Sequence, residues 1–247
     1  MLFRSLAIDG SGNAYVTGYT DSAQFPTVAP IEGGLSGNSV SLFQTTTSGA
    51  SWAPFDANIP GAVSSISPDP SAPGVIVAAT EAGIFRTANS GLSWPMVSTF
   101  SGANLSRSPA NSSTIYAISS SVYRSTDGGA SWLFRGSPAG YNNNIVADPA
   151  DANTAYVYYT YSNGVRKTTD GGVTWNPSTN GLPSSPRIYT MVAASDGSLY
   201  ADVYGAGVYK STNQGASWVA VNSGLGSNYY NTSTNGLAVS AELSNAR

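Results

Sequence analysis

Few side chains in this sequence are available for chemistry. It holds thirteen Asp and Glu, eight Arg, two Lys and fifteen Tyr, with no His and no Cys. The missing types remove Ser-His-Asp and Cys-His catalysis, thiolate chemistry, and zinc or haem sites built on His or Cys. Carboxylate chemistry remains. Hydrolysis of a glycosidic bond needs two carboxylates flanking it, about 5 to 10 Å apart. Asp127 and Asp170 fall inside a recurring turn, and Asp9, Asp69, Asp148 and Asp196 fall in turns at strand ends. Asp21, Glu32, Asp56, Glu81, Asp151, Asp202 and Glu242 are left, and no two stand at equivalent positions. Asp202, within a strand-like run, reads either as an acid facing a channel or as a solvated edge residue. No catalytic residue, metal site or cofactor is assigned.

The elements that position these residues are repeats. Thr45-Thr46-Thr47-Ser48-Gly49-Ala50-Ser51-Trp52 returns as Thr87 to Trp94, Ser125 to Trp132, Thr168 to Trp175 and Ser211 to Trp218. All five tryptophans of the chain occupy the last position of this motif, at spacings of 42, 38, 43 and 43 residues. A period near 40 is that of a four-stranded propeller blade. A short strand precedes each motif, as in Gly83-Ile84-Phe85-Arg86 and Gly207-Val208-Tyr209-Lys210. Ahead of it runs a more apolar one, as in Val75-Ile76-Val77-Ala78-Ala79-Thr80 and Ala155-Tyr156-Val157-Tyr158-Tyr159. The runs are short, rich in β-branched and aromatic residues, and bounded by Gly, Pro, Asn and Asp. No segment keeps a helical period.

These observations predict an all-β chain, a β-propeller of five four-stranded blades with the motif turn between the third and fourth strands. The expected organisation is one domain over 1–247. Blade one covers about 1–60 with an insertion at 21–38, and the next blades cover 61–101, 102–140, 141–185 and 186–226. The stretch 227–247 is expected to be an extra or closing strand. Within the motif, Asp127, Asp170, Asn89 and Asn213 are placed to accept backbone hydrogen bonds from their own turns. Thr47 departs from the pattern and should hold its turn less firmly. The motif glycines are expected at positive φ. Trp52, Trp94, Trp132, Trp175 and Trp218 are each expected to pack between adjacent blades. A calcium role is set aside, because one carboxylate per turn is too few for six to eight oxygen ligands.

Charged residues are only 9 % of the chain and the net charge is −3. With ten scattered cations there is no basic stripe to neutralise phosphates, so nucleic acid is not an expected partner. No run of about 18 apolar residues occurs, so no membrane insertion is expected. The start, Met1-Leu2-Phe3-Arg4-Ser5, shows no basic region followed by an apolar stretch, so no signal peptide is expected in this chain. It is read as a piece of a longer secreted or surface protein.

The motif Ser/Thr-x-Asp-x-Gly-x-Ser/Thr-Trp resembles the Asp-box, or BNR repeat. That repeat is known from sialidases, sortilin-type receptors, xyloglucanase-type glycosidases and photosystem II assembly factors, and the resemblance spans about residues 41 to 225. Ser5-Leu6-Ala7-Ile8-Asp9-Gly10-Ser11-Gly12-Asn13-Ala14-Tyr15-Val16-Thr17-Gly18-Tyr19-Thr20-Asp21-Ser22 is similar to a β-propeller repeat common in large bacterial surface proteins. The resemblance implies that the motif turns lie on the face opposite the ligand site. Sialidases of this type use an arginine triad and a tyrosine nucleophile. Arg86 and Arg124 belong to repeat strands and Arg187 alone lies in a suitable loop, so sialidase activity is not expected.

In such a fold the loops entering each blade share a face with those between its second and third strands. The first set holds Asp56, Tyr141, Asn142, Asn143, Asn144, Arg187, Tyr189, Tyr229 and Tyr230, and the second holds Glu81, Tyr161, Asn163 and Tyr204. Rings beside amides suit a sugar, with apolar faces on the rings and hydroxyls on the amides. The expected ligand-binding residues are Tyr141, Asn143, Tyr161, Arg187, Tyr204 and Tyr229. The first expectation is a non-catalytic binding or scaffold module for a glycan or protein. A hydrolase using a carboxylate pair and a structural module that self-associates through open blade edges stand as alternatives.

Overall fold

The structure is a computed structural model that describes residues 2–19, 41–55, 59–138, 143–161, 163–225 and 237. The insertion expected at 21–38, the loop residues Asp56, Tyr141 and Asn142, and Tyr229 with the other C-terminal residues expected to form a closing strand lie outside them, Leu237 apart.

The chain is an all-β propeller of five four-stranded antiparallel blades, with no helix among the described residues. Blade one is β1 (Leu2–Ile8), β2 (Ala14–Tyr19), β3 (Ser41–Thr45) and β4 (Ala53–Pro54). Blade two is β5 (Val63–Pro68), β6 (Ile76–Thr80), β7 (Ile84–Thr87) and β8 (Met96–Ser98). Blade three is β9 (Asn104–Arg107), β10 (Ile115–Ile118), β11 (Val122–Ser125) and β12 (Leu133–Phe134). Blade four is β13 (Asn143–Ala147), β14 (Ala155–Tyr159), β15 (Val165–Thr168) and β16 (Asn176–Pro177). Blade five is β17 (Ile188–Ala193), β18 (Leu199–Val203), β19 (Gly207–Ser211) and β20 (Val219–Ala220). Strands follow one another in space as in sequence within every blade.

The described residues fall into two compact units, Met1–Leu105 with Ser112–Ser119 and Ser125–Trp132, and Ser106–Asn111 with Ser120–Arg124 and Leu133–Arg247. In the first, Tyr15, Leu42, Val63, Ile66, Ile76, Ala78, Phe85 and Trp94 form a buried cluster with Ala7, Phe55 and Ile59 against it. In the second, Tyr156, Tyr158, Val165, Ile188, Met191, Leu199, Ala201, Val203 and Trp218 form another. Each cluster draws on two consecutive blades. A blade alone buries only half its apolar surface, and the neighbour covers the rest. That is why β6 and β14 are buried at every position.

The motif turns share one hydrogen-bond network. The hydroxyl at the first position accepts the backbone N–H groups of the third and fifth positions. In blade three Ser125 Oγ takes these from Asp127 at 3.3 Å and Gly129 at 2.8 Å, and donates to Asp127 Oδ1 at 2.7 Å. Asp127 in turn accepts the Ser131 N–H at 2.9 Å and the Ser131 hydroxyl at 2.5 Å. Thr168, Asp170 and Thr174 repeat this arrangement in blade four. Where the third residue is Asn89 or Asn213, its Oδ1 accepts the same backbone N–H and its Nδ2 donates to Ser93 or Ser217. Thr47 uses its single oxygen for the Ser51 N–H at 2.9 Å, but lies 3.3 Å from the Thr45 hydroxyl. The fifth residue, Gly49, Gly91, Gly129, Gly172 or Gly215, has φ between 77° and 93°. Any side chain at that φ would be strained.

A basic side chain from the third strand reaches the turn or loop of the next blade. In the first unit Arg86 Nε donates to Gly128 O at 3.1 Å. In the second, Arg124 donates to Ala152 O and Asn153 Oδ1, and Lys167 Nζ lies 3.4 Å from Gln214 Oε1.

The Trp expectation needs correction. Trp94 and Trp218 are buried, and the Trp218 indole N–H reaches Ser178 O of the preceding blade at 2.9 Å. Trp132 and Trp175 are half-buried and their N–H groups donate within their own turns, to Gly129 O and Gly172 O, while the Trp132 ring still meets Phe100 of the preceding blade edge to face at 5.5 Å. Trp52 is 37 % exposed.

Two outcomes follow from the turn network. Ser125→Ala strips two N–H groups of their acceptor, and Gly129 N–H is buried. Urea unfolding should show a loss of about 1–3 kcal/mol, against less than about 1 kcal/mol for the exposed Ser131→Ala. The second outcome concerns pH. Burial would raise the Asp127 carboxyl, but bonds from Ser131 and Ser125 outweigh it and hold the group below the ordinary range. Donation by the Thr174 hydroxyl and N–H, then by Thr168, holds Asp170 well below it. A depressed folded value contributes stability that is complete above the unfolded value of about 4 and is lost as pH falls through the folded value. Asp127→Asn with Asp170→Asn places in these turns the amide already used in blades two and five. The double variant should therefore lose less of its neutral-pH melting temperature at about pH 3 than the parent does.

Candidate functional site

Three of the expected ligand-binding residues converge at one end of blades four and five, opposite the motif turns. Arg187 immediately precedes β17. Tyr161 lies in the loop leaving β14, and Tyr204 in the loop leaving β18. Tyr189, inside β17, completes the group.

Local backbone chemistry sets the positions. The Tyr204 N–H donates to Arg187 O at 2.9 Å, which ties the loop after β18 to the start of β17. The turn Val203-Tyr204-Gly205-Ala206 is closed by Ala206 N–H on Val203 O, with Gly205 at φ 72°. This turn lifts the Tyr204 ring into solvent, where it is 44 % exposed. The Gly164 N–H bonds Pro186 O at 3.2 Å and draws the loop carrying Tyr161 toward the same end. The β17–β18 ladder shifts register between Ile188 and Thr190, so Tyr189 sits in a bulge. Bulges re-aim side chains, and this one sets Tyr189 beside Arg187.

The guanidinium is the centre of the cluster. Arg187 Cζ lies 4.7 Å from the centroid of Tyr204, 5.6 Å from Tyr161 and 5.9 Å from Tyr189. Its Nε donates to Thr160 O at 3.2 Å, and one terminal nitrogen lies 3.5 Å from Tyr189 Oη. The Tyr189 and Tyr204 rings meet edge to face, with centroids 5.5 Å apart. Tyr161 is 61 % exposed. The arrangement offers two exposed aromatic faces and a half-buried cation held in a fixed orientation.

Of the other expected residues, Tyr141 and Tyr229 lie outside the described residues. Asn143 opens β13, its backbone paired with Tyr159. The roles of Tyr189 and of the Thr160 carbonyl were not readable as such. The usable signal was the register of the repeat, which sets Ile188-Tyr189-Thr190 against the bulged Val63-Ser64-Ser65 of blade two.

The acids are mostly engaged in turns. Asp9 accepts bonds from Ser11, Asn13 and Tyr15, and Asp148 from Ala150, Asp151 and Tyr156. Asp69 and Asp196 bind Ser71 and Ser198, and Asp151 binds Asn153 and Thr154. Burial and the neighbouring carboxylates push the Tyr15 and Tyr156 hydroxyls far up, so they act as fixed donors. Asp202 is 3 % exposed on β18, opposite Thr190 and Val208, so it is not a solvated edge residue. Glu81 is exposed after β6. Among the described residues no three acids gather as a metal site would require. An open cleft of about 440 Å³ at the motif-turn end, lined by Lys167, Thr169, Asn176, Asn180 and Gln214 among others, contains no carboxylate.

Residues 4–26 match the Beta-propeller repeat family. No curated protein matches the sequence. An ancestral GH74 enzyme superposes with a TM-score of 0.63 at 21 % identity, over 91 % of this chain and 31 % of the enzyme chain. A GH74 xyloglucanase from Xanthomonas campestris gives 0.62 at 22 % identity, over 88 % of this chain and 32 % of that one. YCF48 bound to D1 peptide gives 0.59 at 16 % identity, over 87 % and 65 %. The chain thus spans about a third of the GH74 chains and under two thirds of YCF48. These likenesses establish the architecture, and the chain is a five-bladed β-propeller similar in fold to GH74 enzymes and YCF48.

Proposed function

We propose that this chain is a non-catalytic binding module of an extracellular or surface protein, built on Asp-box-type blades, that recognises a glycan or protein on the face carrying Arg187. The observation that carries this reading is the exposed pair Tyr161 and Tyr204 flanking an oriented guanidinium. Exposed rings held by backbone bonds lose little entropy on binding, and Tyr and Arg contribute disproportionately to recognition. The engagement of most described acids in turns supports binding without turnover. YCF48 was solved with a D1 peptide, so protein ligands belong in the screen beside glycans.

The test is a binding screen of the purified chain against a broad glycan panel and a peptide set, with hydrolysis products assayed in the same wells. The expected result is binding without turnover. Tyr161→Ala and Tyr204→Ala should each weaken the hit about tenfold or more, or about 1.4 kcal/mol, with tryptophan fluorescence unchanged. Turnover would replace this reading with a hydrolase and direct attention to Asp202 and Glu81. Silence across the panel, or hits indifferent to both tyrosines, would remove this face as the binding surface.

A further inference from the structure

We infer that Arg187 is a carboxylate anchor and that the ligand of this face is an acidic glycan carrying uronic acid residues. The inference rests on the binding reading above and names its ligand class.

Arg187 is half-buried, and among the described residues no Asp or Glu pairs with it. Arg86 and Arg124 are bonded to backbone carbonyls of the next blade, and Lys210 lies over the Tyr200 ring with Asp196 near it. A partly desolvated charge without a counter-ion is costly. Three tyrosine rings around Arg187 offset part of that cost through their π-faces. They stabilise the cation without satisfying its donors. Of five N–H donors, one goes to Thr160 O at 3.2 Å and another has only the long 3.5 Å approach of Tyr189 Oη. The remaining N–H groups are arranged as the fork that a carboxylate meets with two parallel bonds.

The second requirement comes from the rings. Tyr161 and Tyr204, 61 % and 44 % exposed, offer flat apolar surface beside that cation. A pyranose carries a C–H face that such rings cover, and a uronic acid adds a carboxylate to the same ring. An acidic peptide supplies the carboxylate without the flat C–H face. A neutral sugar supplies the face and leaves the guanidinium unpaired. Of these three, the uronate uses both features.

The experiment is titration calorimetry with an oligogalacturonate, with its fully methyl-esterified form, and with an Asp/Glu-rich peptide. The ester removes the charge and leaves the protein intact, so the comparison does not depend on any variant folding. The free acid should bind at least about tenfold more tightly than the ester, the scale of a charge-assisted hydrogen bond. Its affinity should fall as salt rises from about 50 mM to about 500 mM. Arg187→Gln should abolish the preference for acid over ester. Arg187→Lys should restore only part of it, because an ammonium lacks the fork. Equal affinity for acid and ester would overturn the carboxylate anchor and leave the binding module standing. Preference for the peptide would overturn the glycan class. Binding of neither polysaccharide form, with other glycans captured through Tyr161 and Tyr204, would overturn the anchor alone. Complete silence would overturn both readings.

Discussion

One hydroxyl group per blade organises the turn between the third and fourth strands. In Ser125 and Thr168 it faces two backbone N–H groups and one carboxylate oxygen within 3.3 Å. The turn must reverse the chain in a few residues, and the fifth-position amide of blades three, four and five is buried with no strand to pair it. Unpaired buried amides are expensive. The hydroxyl serves two of the turn's amides, and the third residue's side chain serves another at the surface. This fixes the residue types more than the charge: Asp, Asn and even Thr occupy the third position, because each brings an oxygen to the same place. The glycine two positions later is less negotiable, since a Cβ at Gly129 would meet Val77 and one at Gly215 would meet Ser178.

Blade-to-blade packing then follows. The glycine brings the turn close enough to the neighbouring blade for Arg86 to reach Gly128 O, and for Ser178 to donate to Gly215 O at 2.6 Å. The opposite end of the sheets also joins neighbouring blades, through Gly164 N–H on Pro186 O and Arg187 Nε on Thr160 O, but without a repeated motif. Its loops also close bonds of their own, as Val203 to Ala206 do, and can turn side chains such as Tyr204 outward. These bonds bring the exposed Tyr161 and Tyr204 together around the half-buried Arg187.

The fold was legible because five tryptophans in one register leave little freedom in strand count or order. The loop set was legible too. Once the register is known, Tyr161, Arg187 and Tyr204 must fall at the end away from the turns. Their convergence was not, since it depends on a one-residue bulge at Tyr189 and on a backbone bond from Tyr204 to Arg187 O. Neither leaves a mark in residue type. The fates of the tryptophans were equally hidden. The same motif position buries Trp218, whose indole N–H reaches the preceding blade, and leaves Trp175 half-buried with its N–H bonded inside its own turn.

The contacts from the third strand of one blade to the next have a consequence for how such a chain can change. Arg86 binds a main-chain carbonyl, and Arg124 binds another with one amide oxygen beside it. A carbonyl is present whatever residue carries it. The residue after the third position differs among the turns of Asp127, Asn89 and Asn213, whereas a Cβ at Gly171 would meet the Arg124 guanidinium. A joint that reads the backbone also accepts an exchanged or duplicated blade without a matching change in its neighbour. Lengthening by recombination then requires conservation of little beyond a hydroxyl, a side-chain oxygen and a glycine in each new unit.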